Sequence, residues 1–67
     1  MKKQFLITIE TNTTSESISS HQLLRDAKMW AYLYSTDYRR IAEYSEIENA
    51  NIVIWQGEHL VELIPFN

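Results

Sequence analysis

The amino-acid sequence predicts an α+β fold with the element order β-α-β-β-β, a two-layer sandwich in which one amphipathic helix packs on a mainly antiparallel four-stranded sheet. Three observations indicate this fold: helical periodicity over residues 19–34, alternation of side-chain character over 4–11, and two β-rich runs around the single glycine in 51–64. A chain of 67 residues has the length of one domain, so we assign residues 1–67 to a single small α+β domain.

The first predicted element is a strand over residues 4–11. Phe5, Ile7 and Ile9 occupy alternate positions, which places their side chains together on the face toward the core. Residues 11–17 are rich in Ser and Thr and have no periodicity. We therefore expect a surface loop there, which returns the chain to the start of the helix.

The predicted helix spans residues 19–34 and begins at Ser19, because Ser19 and Gln22 have the spacing of a capping box. Trp30 lies in the middle of the apolar face, so we interpret it as a core aromatic residue rather than a stacking platform. Tyr32 points to the opposite side and is a candidate contact residue. The predicted apolar face contains Leu23, Leu24, Ala27, Trp30, Ala31 and Tyr34.

The last two predicted strands form a hairpin over residues 51–64 with Gln56 and Gly57 in its turn. Before it, residues 38–47 fit the alternation of a strand better than a helix. A register shifted by one residue would exchange the two faces of the hairpin. The predicted inward face contains Ile52, Ile54, His59, Val61 and Leu63. The predicted open face of the whole sheet contains Leu6, Thr8, Glu10, Ile41, Glu43, Val53, Trp55, Glu58, Leu60 and Glu62.

The sequence lacks the motifs and spacings of common catalytic and metal sites. It has no cysteine, and its one glycine cannot make a Gly-rich phosphate loop. His21 and His59 lack the spacing of metal ligands, and Glu58 and His59 are adjacent strand residues that point to opposite faces. We therefore expect no enzyme activity, no cofactor and no metal. The apolar part of the N-terminal segment is too short for a signal peptide, so we expect a cytoplasmic protein.

Charge is unevenly distributed along the chain. All six Lys and Arg residues lie within residues 1–42, whereas residues 43–67 contain five Glu and no Lys or Arg. Together with the predicted open face, this acidity favours a protein-binding domain that docks on a basic, nucleic-acid-binding surface of a target protein. By size and charge alone, the chain is analogous to small acidic inhibitors used by phages and mobile elements. The predicted protein-binding residues are Glu43, Val53, Trp55, Glu58, Leu60, Glu62 and Tyr32.

Two alternatives remain open. The first is a nucleic-acid-binding module that uses four basic residues, Arg25, Lys28, Arg39 and Arg40. The low basic content and a sequence pI of about 5.2 make direct binding of nucleic acid the weaker hypothesis. The second is a structural or assembly subunit that closes its open face by forming a homodimer.

Overall fold

The computed structural model describes residues 4–37, 43–44, 47 and 49–66. Four strands and one helix are arranged in the order β-β-α-β-β. They are β1 (Phe5–Glu10), β2 (Ser15–His21), α1 (Leu24–Thr36), β3 (Asn51–Gln56) and β4 (His59–Pro65). Within these described ranges, no helix has both the length and the apolar character needed to cross a lipid bilayer.

The four strands form one antiparallel sheet in the order β2-β1-β3-β4, and α1 packs on one side of it. The predicted α+β architecture, one helix on a four-stranded antiparallel sheet, is therefore confirmed. The order of elements along the chain differs from the prediction, since the second strand precedes the helix. As a result, β1 and β3 are the central strands and β2 and β4 are the two edges.

Strand β2 occupies residues that were predicted to be part of a loop and the first turn of the helix. A tight turn over residues 11–14 directs the chain back along β1, because the Thr11 hydroxyl accepts the backbone N–H groups of Thr13 and Thr14 at 3.2 and 2.9 Å. Ser19 therefore lies in a strand, and the predicted capping box with Gln22 is wrong. The helix begins at Leu24, after an N-cap residue, Leu23, that makes no side-chain cap.

The core lies between α1 and the face of the sheet that it covers. Two alanines on the helix, Ala27 and Ala31, are fully buried, and their small side chains let the helix approach the sheet closely. Burial of each large apolar side chain contributes roughly 1.5–3 kcal/mol. The fully buried residues that the sheet supplies are Ile7, Ile9, Ile52 and Ile54, all of which were predicted to face inward.

Two residues of the predicted apolar helix face lie outside the core. Leu23 is exposed, and Trp30 is 41% exposed, so the interpretation of Trp30 as a core residue is wrong. Leu23 precedes the helix, which begins at Leu24. With only Ala27, Ala31 and Ser35 buried, the helix contacts the sheet along a narrow stripe of small side chains, and Trp30 lies beside this stripe.

The β3–β4 hairpin turns one residue later than predicted. Gln56 pairs with His59, which leaves Gly57 and Glu58 in the turn, and Gly57 has a φ of 62°. A positive φ at the first of two turn residues is the requirement of a type II′ turn, which glycine meets at no steric cost. The later turn moves each partner by two positions and so leaves the faces unchanged.

A β-bulge in β4 exchanges the two faces beyond it. Trp55 pairs with Leu60, but Ile54 pairs with Glu62, so Val61 is an extra residue. Leu63 therefore pairs with Val53 on the side away from the helix and is exposed, contrary to the prediction that it faces inward. His59, which lies before the bulge and was also predicted to face inward, is exposed. Val61 and Ile64 pack against the core.

Most of the strand predicted over residues 38–47 falls outside the described residues, including Ile41, Arg39 and Arg40. Within this range the structure describes the adjacent residues Glu43 and Tyr44, whose backbone is helical, so the strand prediction is wrong there. The Tyr44 ring stacks on Phe66 with centroids 5.3 Å apart, and its hydroxyl donates to Glu16 at 3.3 Å. These contacts attach this segment to the helix side of the molecule.

Candidate functional site

The side of the sheet away from α1 has no covering layer within the described residues, and we call it the open face. Directly opposite residues in antiparallel strands share a face, so the pairing fixes its composition. One row across it is Leu60, Trp55, Leu6 and Ser20, and the next is Leu63, Val53, Thr8 and Ser17. The part of the open face formed by β4, β3 and β1 is thus mostly apolar, and the part formed by β2 carries serines.

Trp55 is the centre of the open face. Its indole N–H donates a hydrogen bond of 2.9 Å to the Thr8 hydroxyl, which lies one row away and across the strand boundary. This bond draws the ring over the second row. Thr8 and Val53 are accordingly only 4% and 2% exposed although both belong to the open face. Trp55 is therefore held in a fixed orientation, with part of its ring still accessible.

Three leucines surround this tryptophan and remain exposed. Leu6 lies beside Trp55 on β1, Leu60 beside it on β4, and Leu63 next to Val53 on the outer edge. Together with Trp55 they form a contiguous apolar patch. Patches of this kind are uncommon on isolated soluble proteins and are typical of contact surfaces, where tryptophan in particular is enriched.

The acidic residues predicted on the open face are mostly placed elsewhere. Glu62 pairs with Ile54, whose side chain belongs to the core side, and Glu43 lies in the helical segment described above. Glu58 is in the hairpin turn. Glu10 shares the face of Thr8 by alternation and lies at the other end of the sheet, where its carboxylate accepts a hydrogen bond from Ser15. Among the described residues, the acids nearest this patch on the open side are therefore Glu58 and Glu10, at the two ends of the sheet.

Tyr32 lies on α1, far from the other predicted contact residues. It is strongly exposed, as the sequence predicts. Met29 and Leu33 are exposed beside it. We call these three residues, with the neighbouring cations Arg25 and Lys28, the outer helix face.

The structure brings together a small aromatic cluster that the sequence did not indicate. The His21 ring stacks on Trp30 at an interplanar angle of 9°, with centroids 6.2 Å apart, and Trp30 contacts Tyr34. The Ser19 hydroxyl lies 3.0 Å from the His21 Nε2 atom and accepts the Tyr34 hydroxyl at 3.3 Å. These contacts join β2 to α1. They could not be anticipated, because residues 19–21 were assigned to the helix.

The basic residues of the nucleic-acid hypothesis form no described patch. Arg25 and Lys28 are exposed on α1, while Arg39 and Arg40 lie outside the described residues. Among the residues that the structure describes, no three His, Cys, Asp or Glu side chains are grouped so that they could hold a metal ion. The described strands contain Glu10, Glu16 and Glu62 and no Lys or Arg.

Comparison with known proteins gives no match to a family model, to a curated protein or to a solved structure.

Proposed function

We propose that this chain is a small acidic protein-binding domain and that the open face is its contact surface. The observation that carries the proposal is the patch formed by Trp55 and the leucines Leu6, Leu60 and Leu63. A tryptophan fixed by a hydrogen bond loses little side-chain freedom on binding, so its contact area is available at a low entropic cost. The exposed leucines around it would exclude water from a contact centred on the indole.

The partner that fits this surface presents an apolar patch with basic residues around it. The open face has Glu10 and Glu58 at its ends, the described strands have no cation, and the whole chain carries a net charge of −3. A field of one sign accelerates association with a surface of the opposite sign. Surfaces that bind nucleic acid are basic, so occupation of such a surface would inhibit its binding to phosphates.

The experiment compares two leucines with equal exposure on opposite sides of the molecule. Leu63 on the open face and Leu33 on the outer helix face are each 48% exposed, so replacement of either by Glu removes no buried side chain. Tagged wild-type protein, Leu63→Glu and Leu33→Glu are used to capture partners from a lysate with nuclease added, over a series of salt concentrations. Circular dichroism verifies that each variant is folded.

The proposal predicts a protein that is retained by the wild type and by Leu33→Glu, is lost with Leu63→Glu, and dissociates as the salt concentration rises. A second variant, Leu60→Thr, places a smaller and more polar β-branched residue in the strand and is expected to weaken the same capture. Capture that is equal for wild type and Leu63→Glu would contradict the open face as the contact surface. Capture that is insensitive to salt would contradict the basic border of the partner.

A further inference from the structure

We infer that the open face also binds the outer helix face of a second copy of this chain, in a head-to-tail arrangement. This inference rests on the proposed function, because it names a partner for the same surface. It requires the molecule to carry two different apolar faces that match each other in chemistry, and the structure shows both.

The outer helix face is unusually apolar for a helix that already covers a core. An amphipathic surface helix carries polar residues opposite its buried stripe. In α1 the buried stripe consists of Ala27, Ala31 and Ser35. Met29 and Leu33 are exposed on the opposite side of the helix, and Tyr32 is exposed between that side and the stripe. Exposed apolar residues that recur at helical spacing form a continuous ridge. This helix is therefore suited to pack between two sheets, its own and that of a neighbour.

The charges favour a helix-to-sheet contact over a sheet-to-sheet contact. Arg25 and Lys28 are exposed on α1, and the one acid within α1, Asp26, lies by helical spacing on the same side as Met29 and Leu33, so the helix brings two cations and one acid to this contact. The open face has acids at its ends and no described cation. Two open faces in contact would bring the Glu10 and Glu58 carboxylates of both copies to one interface. A helix laid on the open face instead sets the neighbouring cations Arg25 and Lys28 against the acid at one end of that face.

Such a contact joins two different surfaces and therefore does not close on itself by two-fold symmetry. Each added copy leaves one free open face and one free outer helix face, so the assembly grows as a chain unless the rotation between copies closes a ring. The heterologous partner of the proposed function would compete for the open face and would shorten the assembly. The helix face takes no part in that competition, which allows the two activities to be separated.

The test is a mixing experiment with the same matched pair, Leu63→Glu and Leu33→Glu. The average mass of the wild-type protein is measured by sedimentation at concentrations up to about 1 mM, the range in which a weak interface of small area is populated. We expect it to rise from the 8.0 kDa of one chain and to pass the mass of a dimer. Each variant alone is expected to stay at the mass of one chain, because each lacks one of the two faces.

An equimolar mixture of the two variants is the decisive sample. Leu63→Glu has an intact outer helix face and Leu33→Glu an intact open face, so the mixture is expected to form a one-to-one dimer and to stop there. A dimer of Leu33→Glu alone would overturn the inference in favour of a sheet-to-sheet contact. A wild-type mass that stays at one chain over the whole range would also overturn it. Leu33→Glu that still captures the salt-sensitive partner shows that the proposed function survives either failure.

Discussion

The two faces of the sheet are built from the same central strands but are covered in different ways. On the helix side, the isoleucines of β1 and β3 are fully buried beneath two alanines of α1. On the open face, the neighbouring positions of the same strands are covered only in part, by the ring of Trp55. Strand alternation supplies apolar residues to both sides. The helix side is thus covered by an element of secondary structure, and the open face is covered in part by one hydrogen-bonded aromatic side chain.

The largest expected effect comes from an aliphatic truncation that is made once on each face. Ile52→Ala removes a fully buried side chain and leaves a cavity, which should lower the free energy of unfolding by about 2–5 kcal/mol. Leu63→Ala, which removes an exposed side chain, should change it by about 0.5 kcal/mol or less. Urea unfolding followed by circular dichroism measures both. Equal losses for the two variants would show that the open face is covered in the folded protein.

A smaller effect is expected from breaking the hydrogen bond on the open face. Trp55→Phe removes the indole donor and leaves the buried Thr8 hydroxyl without it, at a cost of about 1–3 kcal/mol in unfolding free energy. Thr8→Val in the same background removes the unpaired hydroxyl and should restore part of this loss. The four unfolding free energies form a double-mutant cycle. Additive losses in that cycle would mean that the two side chains are not coupled.

The smallest effect concerns the turn that joins β3 to β4. Gly57→Ala places a Cβ atom in open space but at a φ of 62°, so its cost of about 1–2 kcal/mol arises from the backbone conformation alone. Gly57→Asn should cost less, since Asn tolerates positive φ. Glu58→Ala, at the next turn residue, is the control. Thermal melting ranks the three variants, and an equal melting temperature for wild type and Gly57→Ala would refute the turn geometry.

Elements with a periodic pattern of apolar residues could be predicted from the sequence. Elements that form by pairing with another strand, without such a pattern, could not. Alternation alone placed Ile7, Ile9, Ile52 and Ile54 in the core. Strand β2 has the sequence SESISSH, which carries little apolar signal because it is an edge strand that forms by pairing with β1. Ile18 is its one aliphatic residue.

The candidate site was predicted in its centre and missed at its border. Trp55, Val53 and Leu60 were assigned to the open face and lie there. Leu63 and Glu62 were each assigned to the wrong face of the sheet, because nothing in the sequence indicates a bulge at Val61. The open face therefore has one acid fewer and one leucine more than predicted, which makes it more apolar.

The bulge at Val61 sets the register in which the last residues of β4 pair with β3. In the register of the structure, Val61 has no partner on β3, and Leu63 lies on the open face. In a register without the bulge, Val61 would lie opposite Ile54. Leu63 would then face the helix side, and Glu62 would lie on the open face. Deletion of Val61 would remove the bulge and keep Leu63 opposite Val53. The one surplus residue thus decides whether this edge of the molecule offers an incoming surface an aliphatic side chain or a carboxylate.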